Sequence, residues 1–342
     1  MATMKDVAKL AGVSTSTVSH VMNQTRFVSE DIAKRVQDAA STLNYRGPSA
    51  VARSLKTCRT NTIGMLVTTS TNPFYAEVVR GVEQACYQRG YNLILCNTEG
   101  DVQRLKRSLA TLVERRVDGL IMMCAMLEGE DAKVYERLNN LPVVVMDWGE
   151  ADFPCDRIQG HSRKGGQLAT QYLIDKGHRD IGCITGPRNR QQADLRYQGF
   201  ADAMLAAGQV INPDWVVESN FESDGGLQAF TELFSRVGQD KSQLPSALFV
   251  CNDMMAIGVL HAAQHAGIRV PDELSIIGYD DIHLARYLNP ALTTIHQSKG
   301  KLGAEAVSAL LARLQNPQLA PQFMDIEPSV VERDSVRMFA QI

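Results

Sequence analysis

From residue 62 onward the chain alternates between short apolar runs and stretches of helical length, and few folds tolerate that rhythm. The runs fall at 63–67, 93–96, 119–124, 143–146, 181–184, 247–251 and 274–278. Between them lie 75–89, 102–115, 164–176, 192–207, 225–234, 254–265 and 301–314. A continuous apolar run marks a strand buried on both faces, as in parallel sheets covered by helices. So many alternations exceed one small sheet. They predict two α/β lobes side by side, with a cleft at the carboxyl ends of their strands.

The first sixty residues read differently. Residues 4–23, MKDVAKLAGVSTSTVSHVMN, predict two short helices joined by a tight turn. Val7, Ala8, Leu10 and Ala11 suit the inner face of the first, and Gly12 supplies the permissive backbone of the turn. Ser14 is placed to cap the second helix, whose buried side is Val18 and Val21. Its other side carries short hydrogen-bonding groups and no charge that repels phosphate. That suits a helix entering a DNA major groove, with Thr15, Ser16, Thr17 and His20 at base edges and Ser14, Ser19, Asn23 and Arg26 at phosphates. The competing interpretation is an ordinary helical hairpin. Ser29, with Glu30 and Asp31 behind it, opens a third helix whose apolar face is Ile32, Val36, Ala39, Ala40 and Leu43, ending near Asn44. Tyr45 is expected to pack on this head. Charge agrees: residues 1–60 carry a balance of +5 and the remainder −8, a basic head on an acidic body.

Arg46-Gly47-Pro48 breaks the third helix, and residues 49–56, SAVARSLK, have helix-forming composition but are too short to be helical alone. Such a segment is expected to fold only when two copies meet on DNA. No apolar run reaches the length of a membrane span, and MATMKDVAK lacks the apolar stretch of a secretory signal. The seven cysteines are scattered singly and read as reduced and structural, in a cytoplasmic protein. No GxSxG, P-loop or strand-following GxGxxG appears, and no His/Cys cluster suggests a metal, so an α/β enzyme is a remote alternative.

Polar and aromatic residues gather where the strands should end. They are Asn72, Phe74 and Tyr75; Asp147 and Trp148; Arg190 and Arg196; Asn252 and Asp253; Asp280 and Asp281; and Gln297. Carboxylates and amides take sugar hydroxyls in pairs, Arg donates twice, and aromatic faces stack on C–H surfaces. The structural alternatives are that Phe74 and Phe221 are core, that Arg190 is a solvated charge, and that Asp253 and Asp281 cap the helices that follow.

VAKLAGVSTSTVSHVMN, followed by RFVSE, LNY and PSAVARSLK, resembles the lactose-repressor family of bacterial transcription regulators, nearest its ribose- and purine-responsive branches. The likeness runs along essentially the whole chain. NPFYAEVVRGVE, LCNTEGD, ATQYLIDKGH and CITGP are similar to the ribose type, and MDWGEA to the purine type. The resemblance implies a small all-α helix-turn-helix head (1–46), a hinge helix (47–60) and a two-lobed α/β body (61–342) like periplasmic sugar-binding proteins. Its first lobe would hold 62–161 and 293–322, its second 162–292 and 323–342, with three crossovers. Paired hinges would enter the minor groove with Leu55 wedged between base pairs and Arg53 and Lys56 alongside.

The same resemblance places Asn72, Phe74, Tyr75, Asp147, Trp148, Arg196, Phe221, Asn252, Asp280 and Gln297 in an effector pocket, and Arg190 is added from its strand-end position. The implied function is a homodimeric repressor that binds double-stranded operator DNA, with D-ribose as inducer and no cofactor. The alternatives are a nucleobase corepressor or control by a phosphocarrier protein. Two departures stand out. Gly47 looks like an extra residue before Pro48, and Gln159-Gly160-His161 stands where the family carries Asp-Asn.

Overall fold

The computed structural model describes residues 2–45, 59–124, 133–135, 138, 141–147 and 155–339. The expected hinge residues Arg53, Leu55 and Lys56, and Trp148, lie outside the described residues. The chain divides into two units, Met1–Asn61 and Thr62–Ile342.

In the first unit, α1 (Met4–Ala11), α2 (Thr15–Asn23) and α3 (Glu30–Thr42) enclose a core of Val7, Ala11, Val18, Val36 and Ala40, with Tyr45 packed on it. Thr3 and Asp6 form a capping box that starts α1. The helix stops at Gly12, whose φ of 65° strains any residue with a Cβ. A Cβ there would also stand 2.9 Å from Arg35 Nη2, and that guanidinium donates to the Ala11 carbonyl, tying α3 to the turn. Ser14 Oγ accepts from the Thr17 N–H at 3.1 Å and caps α2. Two expectations change. Leu10 is 55% exposed, because Val7, Ala8 and Ala11 already fill the inner stripe. Ser29 occupies the N-cap position of α3 but makes no side-chain capping bond, leaving Glu30 and Asp31 to meet the helix dipole.

The second unit holds two sheets. The first has the order β11-β5-β4-β3-β1-β2, built from β1 (Thr62–Val67), β2 (Asn92–Asn97), β3 (Gly119–Met123), β4 (Val143–Met146), β5 (Asp156–Gly160) and β11 (Phe323–Ile326). The second has the order β12-β10-β9-β8-β6-β7, from β6 (Ile181–Thr185), β7 (Val216–Glu218), β8 (Ala247–Val250), β9 (Ser275–Asp280), β10 (Thr293–His296) and β12 (Ser329–Val331). All pairs are parallel except β10 with β12. The helices are α4 (Pro73–Gln88), α5 (Val102–Glu114), α6 (Ser162–Asp175), α7 (Gln191–Ala206), α8 (Ser223–Arg236), α9 (Asp253–His265) and α10 (Lys299–Gln315). Strands β3, β4, β6, β8 and β9 are buried throughout, as their apolar runs require.

The lobe boundaries need correction at two crossovers. Thr293 pairs with Ile277, so β10 belongs to the second sheet, and Phe323 pairs with Arg157, so β11 belongs to the first. The chain changes lobe after each of these strands rather than before it, because a strand completes its ladder before leaving the sheet. Asp156, 1% exposed, accepts from Arg313 Nε and Nη2, both at 2.7 Å, and from the Gln322 N–H at 2.8 Å, clamping α10 and the approach to β11 onto β5. Helices α6 and α7 cross so closely that a Cβ on Gly166 would stand 2.1 Å from the Arg196 carbonyl oxygen. The described cysteines are free, and burial pushes the Cys124 thiol up to about 12. No helix among the described residues is long and apolar enough to cross a membrane.

Candidate functional site

The outer face of α2 is pre-arranged by local bonds. Ser14 Oγ lies 2.7 Å from Ser16 Oγ and 2.9 Å from Thr17 Oγ1. His20 Nδ1 is 2.9 Å from Thr25 Oγ1, and Asn23 Nδ2 donates to the Ser19 carbonyl at 2.9 Å and its Oγ at 3.3 Å. Thr15, Ser16 and Arg26 are exposed, while Thr17, Ser19 and His20 are half-buried. This surface offers hydroxyls, an imidazole and an amide on a narrow rod, which can hydrogen-bond to base edges and phosphate oxygens alike.

In the body, a cavity of about 290 Å³ opens where the carboxyl ends of both sheets meet. Each sheet reverses its strand order there, between β1 and β3 and between β6 and β8. Thr68 and Thr69 follow β1, Asn72 precedes α4 and Phe74 and Tyr75 lie in its first turn, and Asp147 follows β4; α7 contributes Gln192 and Arg196, the loops after β7 and β8 bring Phe221 and Asn252, and Asp280 ends β9. Two of these residues also fix the frame. Asn72 Oδ1 accepts from the Phe74 N–H at 3.0 Å and caps α4. Asn252 caps α9 through the Met255 N–H at 2.8 Å and donates to the Phe221 carbonyl at 2.8 Å. Asp147, Phe221 and Asp280 have φ of 52°, 72° and 111°. Backbone strain gathered at one cavity is typical of a functional site.

The floor is charged and buried. Arg196, 5% exposed, sets Nη2 3.6 Å from Asp280 Oδ1, donates from Nη1 to the Cys251 carbonyl at 2.6 Å, and stacks 3.9 Å from the Tyr279 ring centre. Asp147 Oδ1 accepts from the Gly160 N–H at 2.9 Å. Gln297 Nε2 donates to Asp280 Oδ1 at 2.8 Å, and Lys299 Nζ to the Asp280 carbonyl at 2.7 Å. Burial pushes the Asp147 carboxyl up and Asp280 up to about 6, with Arg196 opposing both. Burial alone would lower Arg196, but Asp280, Tyr279 and Asp147 outweigh it and raise it. Burial lifts the Tyr75 hydroxyl to about 12, so it stays neutral. A cation between two carboxylates, walled by Phe74 and Phe221, can grip a compact polar ring.

Known proteins carry the same two parts. Residues 3–47 match the family described as bacterial regulatory proteins, lacI family, and residues 170–336 match the periplasmic binding protein-like domain. The ribose operon repressor of Escherichia coli (strain K12) is 51% identical over 335 residues, 98% of this chain and 100% of the relative. The chain belongs to the lacI family. The HTH-type transcriptional repressor PurR of Pasteurella multocida (strain Pm70) is 48% identical over 337 residues, covering 98% of this chain and 99% of its own. The solved Lac repressor dimer bound to operator and the anti-inducer ONPF superposes with a TM-score of 0.85 at 28% identity, over 98% of this chain and 99% of that one. As in those lacI-family relatives, the chain is a DNA-binding repressor with a helix-turn-helix head and an effector-responsive α/β body.

Of the residues expected at the strand ends, Asn72, Phe74, Tyr75, Asp147, Arg190, Arg196, Phe221, Asn252 and Asp280 line this one cavity. Gln297 does not. It is 2% exposed and sits behind Asp280, since β10 lies a strand farther from the sheet's reversal point than β9. Asp253 and Asp281 are not helix caps. Asp253 accepts from the Thr294 hydroxyl at 2.6 Å and the Ile282 N–H at 2.9 Å, and Asp281 takes His296 Nδ1 at 2.8 Å and Arg333. Sequence reasoning missed Thr68, Thr69, Glu99, Met123, Gln191, Gln192, Asn220 and Glu222 on the lining. The i, i+4 spacing of Gln192 and Arg196 would have revealed the former. Among the described residues, no group of three or more His, Cys, Asp or Glu is placed to hold a metal.

Proposed function

We propose that this repressor is a cytoplasmic homodimer that binds a partly palindromic operator and releases it when D-ribose occupies the cavity floor. The observation that carries the reading is the buried Arg196–Asp280 pair beside Asp147, in a chain 51% identical end to end to a ribose operon repressor. Arg196 and the two carboxylates would hold the sugar hydroxyls, and Phe74 and Phe221 would cover its C–H faces. On the head, Thr15, Ser16, Thr17 and His20 would read bases, while Ser14, Ser19, Asn23 and Arg26 would hold phosphates. The hinge segment with Arg53, Leu55 and Lys56 would enter the minor groove. Similarity to the Lac repressor dimer supports two copies, and one three-helix head offers too little contact for a specific site. Ribose would favour the body conformation of lower operator affinity, a population shift.

The test is calorimetric titration with D-ribose coupled to operator binding read by fluorescence anisotropy. Ribose should bind and release operator, and Arg196→Met should lose both effects. Ribose binding that leaves operator affinity unchanged, or no ribose binding, would overturn the reading.

A further inference from the structure

We infer that Lys299 is a positioning residue of the effector site: it aims Asp280 into the cavity and, with Glu77, fastens the turn that carries Asp280 to the first lobe. The inference rests on the reading above only for the identity of the effector.

Asp280 ends β9 and Asp281 follows it, with φ of 111° and 53°. Two successive non-glycine residues with positive φ persist only where their surroundings impose that backbone. Their carbonyls converge on one cation. Lys299 Nζ donates to the Asp280 carbonyl at 2.7 Å and to the Asp281 carbonyl at 2.6 Å, and it faces Glu77 Oε2 at 3.5 Å. An ammonium has three donors, and three acceptors surround this one, as a lysine only 6% exposed requires. Because Lys299 holds the Asp280 carbonyl, the carboxylate of the same residue is left for Arg196 and Gln297.

Lys299 also spans the lobes. The chain leaves the second sheet after β10, and Lys299 is the first residue of α10, which packs on α4 of the first lobe. There a Cβ on Gly81 would stand 3.0 Å from Gly300 Cα. Glu77 lies one turn before Gly81 on the same face of α4 and one turn after Phe74, a wall of the cavity. Glu77 Oε1 accepts from the His283 N–H at 2.9 Å. From its own lobe the turn is held through the Asp281 carboxylate by His296 and Arg333. A first-lobe ammonium and carboxylate thus grip residues 280–283 from the other side. A ligand drawing on the Asp280 carboxylate loads this turn, and the turn cannot shift without carrying α10 and α4 or breaking these bonds. Occupancy of the cavity is passed to the arrangement of the lobes by that route.

The test compares the full-length protein as wild type, Glu77→Gln and Lys299→Met. Gln keeps an oxygen for the His283 N–H and loses the charge facing Lys299. Calorimetry reads ribose affinity, fluorescence anisotropy reads operator affinity without and with saturating ribose, and hydrogen exchange reads the amides of residues 281–283. Lys299→Met should lower ribose affinity at least about tenfold. Glu77→Gln should leave it within about threefold while cutting the ribose-induced change in operator affinity at least about threefold. In both variants the turn amides should exchange at least about tenfold faster, with wild-type rates in the middle of α10, which also shows that the variants are folded. A lysine that served only to start α10 would loosen that helix and leave the turn unchanged. Wild-type ribose affinity in Lys299→Met, an unchanged operator response in Glu77→Gln, or unchanged exchange in the turn each overturn the inference. If Lys299→Met does not fold, Glu77→Gln decides alone. If the wild-type protein binds no ribose, the effector reading fails and exchange decides: acceleration in the turn alone supports the positioning role, and acceleration throughout α10 or none at all overturns it.

Discussion

Replacing Asp280 by Asn should stabilise the unliganded body at neutral pH and remove most of its effector affinity. Asp280 is 3% exposed, and burial lifts its carboxyl from 3.8 to about 6 although Arg196 pulls the other way. The folded chain thus holds this proton more tightly than the unfolded chain. Between those two values the native state binds more protons, so stability falls as pH rises. The penalty is absent below the ordinary value and complete above about pH 6. The gap corresponds to ~3 kcal/mol. Asn keeps the size of the side chain and an acceptor for Gln297 Nε2, which donates at 2.8 Å. Arg196 loses half of its ion pair, which offsets part of the gain and leaves about 1–2 kcal/mol. Urea unfolding followed by tryptophan fluorescence isolates the body, because Trp148 and Trp215 both lie there. The variant-minus-wild-type difference should be near zero at about pH 4 and level off near pH 7. Ribose affinity should fall at least about tenfold with the charge-assisted bond. A difference that does not change with pH, or a variant less stable than wild type at neutral pH, would refute the reasoning.

Gly12→Val places a β-branched residue at φ 65° and a Cβ 2.9 Å from Arg35 Nη2; it should destabilise the head by about 2 kcal/mol, weakening operator binding while calorimetric ribose affinity stays intact. Arg313→Met strands the buried Asp156 carboxylate and should cost the body about 3–5 kcal/mol in urea unfolding; a loss below about 1 kcal/mol would show that the pair is not buried in solution. Gly160→Ala sets a methyl 2.2 Å from Gln297 Oε1, driving the amide off Asp280 and lowering ribose affinity about fivefold. In a Gln297→Ala background the same change should be nearly silent, and additive losses in that double-mutant cycle would sink the proposed contact.

What the sequence made legible was height along a strand; what it concealed was lateral order. A polar residue directly after an apolar run has one place to go, the strand's carboxyl end, and Asp147, Asn252 and Asp280 could be grouped on that ground before any coordinates, whereas Arg196, inside α7, was placed by the family resemblance. The same rule misplaced Gln297, because it cannot say that β10 stands beyond β9 and so behind Asp280. Strand β5 reads DRIQG and shows no apolar run, since Asp156 is held by Arg313, a residue 157 positions away. Gln192 and Glu222 follow no apolar run directly, and they reach the lining because the starts of α7 and α8 lie at the cavity. The interleaving of the lobes came from family resemblance, and its two misplaced crossovers have the same origin. A run of residues records that a strand exists and where it stops, whereas the sheet that receives it is decided by partners distant in sequence. The parts of the site that discriminate between ligands are therefore the parts least visible in the chain: they sit on helices and loops, and their role depends on which strand lies next to them.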